Sequence, residues 1–179
     1  MNIPTNDLLA IRYRIFEIFE TANIHTLPIC LDSIIDLYGI HITTFKKAME
    51  YGLKLDGDDG YTIMRKIGSV RVFLIIINES IDPLTKRVVI AHELGHILLG
   101  HFDEHYENAE ALANAFALEL LAPIPIVANF KTPMEICRSC MIPLRASVEA
   151  MNRNKRLPLR LLRLYQKRFA MEIATELCA

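Results

Sequence analysis

Ala91-His92-Glu93-Leu94-Gly95-His96 is the stretch on which the reading of this chain turns. An α-helix completes a turn in ~3.6 residues, so residues four apart share a face, and the imidazoles of His92 and His96 can converge on one tetrahedral metal ion. Glu93 points to the side, where its carboxylate can reach a metal-bound water without becoming a ligand. Zinc with an open coordination position lowers the pKa of its water from ~16 to ~7, and a neighbouring carboxylate can then take the proton as hydroxide attacks a carbonyl. The expected chemistry is amide hydrolysis. Because a five-residue match with two free positions also arises by chance, the weight falls on its surroundings.

A metal site needs a third protein ligand, and Glu110-Ala111-Leu112-Ala113-Asn114-Ala115-Phe116-Ala117 offers one on a second predicted helix. Glu110 and Asn114 lie one turn apart, so Glu110 can complete the site while Asn114 supports a ligand from behind. Two histidines, a carboxylate and a water form the hydrolytic type of open zinc site. Iron also accepts two histidines and one carboxylate, but only hydrolysis gives Glu93 a ready role. His101 and His105 lie between the two segments and could compete with Glu110. A metzincin would need a histidine six positions after His96 and a glycine three after it, whereas this chain has His101 at five and Gly100 at four. His101, His105 and Tyr106 remain candidates for stabilising an oxyanion, with a solvated loop as the alternative.

Taken together, Ala91-His92-Glu93-Leu94-Gly95-His96-Ile97-Leu98-Leu99, the spacing to Glu110, Ala113-Asn114 and Phe116-Ala117, and the closing Leu120-Leu121-Ala122-Pro123 resemble the ImmA/IrrE-type metallopeptidases of bacterial mobile elements and stress regulators. The resemblance covers about Ile29 to Pro123. It implies a zinc-dependent endopeptidase that cuts a helix-turn-helix transcriptional repressor at one site and so relieves repression. The alternative is a metal-containing regulatory module that binds a repressor or DNA without cutting, or a partner protein whose metal site is vestigial.

Length and composition agree with one self-sufficient unit. The chain has 179 residues, 52% of them hydrophobic, with a formal net charge of -1, which is enough apolar material for one core. Near-neutral charge gives no global reason to expect nucleic acid or an anionic membrane. The first residues lack the basic start and apolar stretch of a signal peptide, and no apolar run approaches the ~20 residues of a membrane span, so a cytoplasmic protein is expected. Four cysteines, Cys30, Cys137, Cys140 and Cys178, are too few and too scattered for a disulfide framework.

In chain order, apolar residues from Leu8 to about Thr21 follow helical spacing, with Arg12, Arg14, Glu17 and Glu20 expected to face outward. A short helix follows from Leu31 to Leu37, stopped by Gly39. Strands are expected at Ile40–Phe45, Tyr61–Met64 and Val70–Ile77, forming a small, mainly antiparallel sheet. The third is apolar on both faces, which places it centrally with the metal helix covering one side. Asp82-Pro83 supplies a cap and a first-turn proline for that helix, and Gly100 ends it. Gly95, in mid-helix at a cost of about 1 kcal/mol relative to Ala, signals a close neighbour, expected to be the Glu110 helix with Ala109, Ala113 and Ala117. Short helices at Pro133–Met141 and Leu144–Met151 have helix-turn-helix-like length, and a long one follows from Leu159 to about Leu177.

Three further features have simpler readings beside the functional ones. The acidic turn Asp56–Asp59 lacks the remaining ligands and closing Glu of a calcium loop. Cys137 and Cys140 have the spacing of half a zinc site or a redox pair, but no second such pair exists, so buried helical thiols are favoured. Residues 153–168 hold Arg153, Lys155, Arg156, Arg160, Arg163, Lys167 and Arg168 with no acidic residue, which suits either nucleic acid or, as favoured here, a solvated basic face. The fold expected is α+β: one domain over 1–179, with a zincin-like core at about 29–123 and a helical extension over 124–179.

Overall fold

The computed structural model describes residues 3–53, 59–102, 106, 108–153 and 157–169. It is an α+β protein with a small mixed sheet. In chain order the elements are α1 (Thr5–Thr21), α2 (Leu31–Leu37), β1 (His41–Thr44), α3 (Phe45–Glu50), β2 (Gly60–Ile67), β3 (Val70–Ile77), α4 (Pro83–Leu98), α5 (Ala109–Leu121), α6 (Ile124–Val127), α7 (Pro133–Cys140), α8 (Leu144–Asn152) and α9 (Leu159–Phe169).

The sheet order is β1-β3-β2, with the apolar β3 in the centre as its composition required. β2 and β3 form an antiparallel hairpin in which Ile67 faces Val70 across Gly68-Ser69, and Gly68 takes the positive φ of 62° that this two-residue turn demands. β1 pairs with β3 in parallel, His41 opposite Leu74, along a shorter ladder than the hairpin's, so among the described residues the sheet is mixed but mainly antiparallel. The central place of β3 could be read from the sequence, but not the direction in which β1 runs beside it. α3 was not foreseen either. Thr44 ends β1 as a helix cap, its hydroxyl accepting from the Lys47 amide at 3.3 Å, and Phe45, expected at the strand's end, becomes the first helical residue.

α4 lies across one face of the sheet. Asp82 Oδ1 accepts from the amides of Leu84 and Thr85, both at 3.0 Å, and Pro83 follows as the first helical residue. At Gly95 the helix meets α5: a Cβ there would stand 3.1 Å from both the Cα and the carbonyl oxygen of Ala113 and 3.2 Å from Phe116 Cβ. This is the contact that the mid-helix glycine predicted.

Behind α5, the buried face of α1 (Ile11, Ile15, Ile18, Phe19) joins Phe116 and Leu120 in one core, which also takes in Leu161, Tyr165 and Phe169 of α9. Phe19 and Phe169 meet edge to face at 5.5 Å, and Tyr165 lies 5.3 Å from Phe16. Arg12 departs from expectation. It is 3% exposed and directs Nε and Nη2 to Glu119 Oε1 at 3.1 and 2.9 Å, while Nη1 of Arg153 reaches the same oxygen at 2.9 Å. Helical periodicity assigned Arg12 to solvent because it weighs residue type and cannot see a carboxylate 107 positions away. No helix among the described residues is long and apolar enough to cross a membrane.

Candidate metal centre

α4 and α5 bring three potential donors to one point. His92 Nε2 and His96 Nε2 are 3.0 Å apart, and the Glu110 carboxylate spans them, Oε2 at 3.4 Å from His92 and Oε1 at 3.3 Å from His96. Ligand atoms ~2.0–2.1 Å from a common tetrahedral centre stand about 3.3 Å from one another, so these separations suit a small divalent cation. Among the described residues this is the one group of His, Cys, Asp and Glu side chains arranged to hold a metal.

The partners of the outer ring nitrogens agree with that geometry. His92 Nδ1 lies 3.1 Å from Asn114 Oδ1, an acceptor, so Nδ1 carries the proton and Nε2 presents its lone pair. His96 Nδ1 faces His101 Nδ1 at 3.0 Å. If His96 donates there, its Nε2 also presents a lone pair, and two lone pairs at 3.0 Å repel unless a cation stands between them. Burial, with the charge of His92 next, lowers the His96 pKa and favours the neutral ring that a metal requires. The His101 pKa is lowered as well, first by burial and then by His96. The donor set therefore fits Zn2+.

Glu93 stays out of the cluster. It is 7% exposed, and its Oε2 accepts a 2.7 Å hydrogen bond from the Thr62 hydroxyl. A cleft of about 370 Å3 opens here: β2 supplies Gly60, Tyr61 and Thr62 to one wall, and His92, Glu93, His96, Phe102 and Glu110 line the rest. Gly60 lets the strand approach, since a Cβ there would fall 2.7 Å from Val89 Cγ1. Thr62 escaped notice in the sequence because nothing in Tyr61–Met64 tells which residue of an edge strand will face a helix.

The remaining candidates lie near the cluster or outside the description. The Tyr106 ring sits 5.0 Å from that of His101, and Tyr106 is 39% exposed. His105 falls outside the described residues, as do most of the Asp56–Asp59 turn, Cys178, Lys155 and Arg156. Cys137 and Cys140 share α7, and burial pushes the Cys140 thiol up to about 12, which is unsuited to redox exchange at neutral pH. In the basic run, Arg153 pairs with Glu119 and donates to Ala122 O, and Arg168 holds the carbonyls of Phe19 and Ile24. Arg160, Arg163 and Lys167 are exposed along α9, so the run is partly internal scaffold and partly a solvated face.

No curated protein matches the chain. The profile of a peptidase family described as IrrE N-terminal-like domain matches residues 36–136, more than half of the sequence. That span runs from the end of α2 into α7 and takes in the whole sheet together with both helices that meet at Gly95, and on this ground the chain belongs to the IrrE N-terminal-like family of peptidases.

Proposed function

We propose that the protein is a zinc-dependent endopeptidase in which His92, His96 and Glu110 hold one Zn2+, Glu93 is the general base, and Asn114 and His101 orient the two histidines. The observation that carries this reading is the convergence of three side chains from two helices, the two Nε2 atoms 3.0 Å apart and each within 3.4 Å of a Glu110 oxygen, beside a buried carboxylate that is not one of them. Bound zinc supplies a Lewis acid and makes a water acidic enough to act at neutral pH. Glu93 takes the proton as the oxygen adds to the scissile carbonyl and returns it to the departing amine, so that water is added across the C–N bond. Among the described residues β2 is an edge strand, paired only with β3, and its outer edge can receive an extended polypeptide segment. Tyr106, packed on His101, is the residue we assign to the oxyanion.

The substrate proposed is a helix-turn-helix transcriptional repressor, cut at one site inside the cell. This part rests on the resemblance carried by the sequence from about Ile29 to Pro123 and on membership of a peptidase family. The test compares zinc-loaded wild type with Glu93→Gln on a helix-turn-helix repressor from the same locus, followed by mass spectrometry. Wild type should give two fragments from a single cut. Glu93→Gln should cut at least about 100-fold more slowly while keeping its zinc and its grip on the repressor. Equal loss of repressor function with both proteins, and no fragments, would point to a non-proteolytic regulatory module.

A further inference from the structure

Glu93 has a partner that the reaction outlined above leaves without a role. The Thr62 hydroxyl donates to Glu93 Oε2 at 2.7 Å, a length typical of a hydroxyl bound to an ionised carboxylate. Glu93 has no other hydrogen-bond partner among the described residues, and a glutamate side chain has three torsions to fix. A single short bond therefore decides where its carboxylate stands.

The contact is built by two elements at two points. On β2, alternation directs Gly60 and Thr62 to the same face; on α4, Val89 and Glu93 are one turn apart and share a face. Gly60 lies against Val89, where any Cβ would be within 2.7 Å of Cγ1, and Thr62 lies against Glu93. β2 is anchored from its other side by β3, with Thr62 opposite the wholly buried Ile75. The hydroxyl is thus carried on a strand held between β3 and α4, and that strand also forms one wall of the cleft.

We propose that Thr62 is the positioning residue for Glu93: its hydroxyl holds Oε2 so that Oε1 is the oxygen that receives and returns the proton. This rests on the peptidase reading above. Because Thr62 belongs to the edge strand proposed to seat the substrate, one element sets the place of both the scissile carbonyl and the base. Losing the hydroxyl leaves substrate binding intact and disorders the base, so the damage falls on kcat.

The test uses zinc-loaded full-length protein and the helix-turn-helix repressor of the same locus. Thr62→Val keeps the shape and removes the donor; it should lower kcat about 10- to 100-fold with KM within about twofold of wild type. Thr62→Ser should return kcat to within about threefold of wild type. Urea unfolding of Thr62→Val, Glu93→Ala and the double variant gives a second readout independent of turnover. The effect of Thr62→Val on the unfolding constant should shrink about 3- to 10-fold once Glu93 is gone. Thr62→Val as active as wild type while Glu93→Gln is dead would overturn the role of Thr62 and leave the peptidase reading standing. Glu93→Gln as active as wild type would overturn both. Should the repressor not be cut, strictly additive unfolding effects would overturn the proposal.

Discussion

The Cys140 thiol is completely buried, and burial pushes it from an ordinary value of 9.0 up to about 12. Between these values the unfolded chain has lost the proton while the folded chain keeps it. The unfolded state thus binds fewer protons, and stability that is fully present below pH 9 is lost as the pH rises towards 12. The slope from this group is at most about 1.4 kcal/mol per pH unit. The Tyr165 hydroxyl is also raised, chiefly by burial and then by the charge of Glu119, and adds a loss of the same sign above its ordinary 10.0. The urea midpoint should therefore fall between about pH 8 and about pH 10.5, and Cys140→Ala should flatten part of that fall; an equal fall in both would assign the loss to other groups. At this scale the sequence was informative wherever spacing alone fixes geometry. Residues four apart on a helix face the same way in any fold, so the pairing of His92 with His96 was legible. Glu110 had to be inferred from a second helix, whereas Thr62 and the inward turn of Arg12 depend on register and on partners far along the chain.

Among the elements, the crossing of α4 and α5 matters most, because it sets the distance between the histidine pair and Glu110. Gly95→Ala would gain about 1 kcal/mol of helix propensity, but its Cβ would meet Ala113 backbone atoms at 3.1 Å, and backbone cannot swing aside as a side chain can. Overpacking of this kind costs about 1–3 kcal/mol. The variant should unfold at lower urea than wild type and bind zinc at least about tenfold more weakly, since α5 carries Glu110 away. Higher stability with unchanged zinc affinity would contradict the close crossing. Most of the elements could be anticipated from hydrophobic period, from the Asp82-Pro83 start of α4 and from the proline breaks after α5. The parallel pairing of β1 could not, because hydrophobic period does not tell which way a strand runs beside its neighbour. Nor could α3, which a single threonine cap separates from the strand before it.

For the molecule as a whole, the carboxylate of Glu119 ties the peptidase span to the segments on either side of it. It lies between Arg12 of α1 and Arg153 after α8, and the Tyr165 hydroxyl on α9 donates to the Arg12 carbonyl at 3.3 Å. Burial lowers the Arg153 pKa while Glu119 holds it up, so this buried guanidinium leans on that carboxylate. Glu119→Gln should cost about 3–5 kcal/mol, the range for leaving a buried charge without its partner. If residues 124–179 are part of the same cooperative unit as the core, fluorescence and circular dichroism should report coincident unfolding transitions, shifted together by Glu119→Gln; two separated transitions would divide the chain into independent units. The central claim, that His92, His96 and Glu110 hold one zinc, is tested most directly by zinc-edge X-ray absorption on protein loaded with a single equivalent. The account predicts nitrogen and oxygen neighbours at about 2.0–2.2 Å with two imidazole signatures, reduced to one in His96→Ala. A sulfur shell at about 2.3 Å, placing the metal on the cysteines of α7, or a spectrum unchanged by His96→Ala, would contradict it.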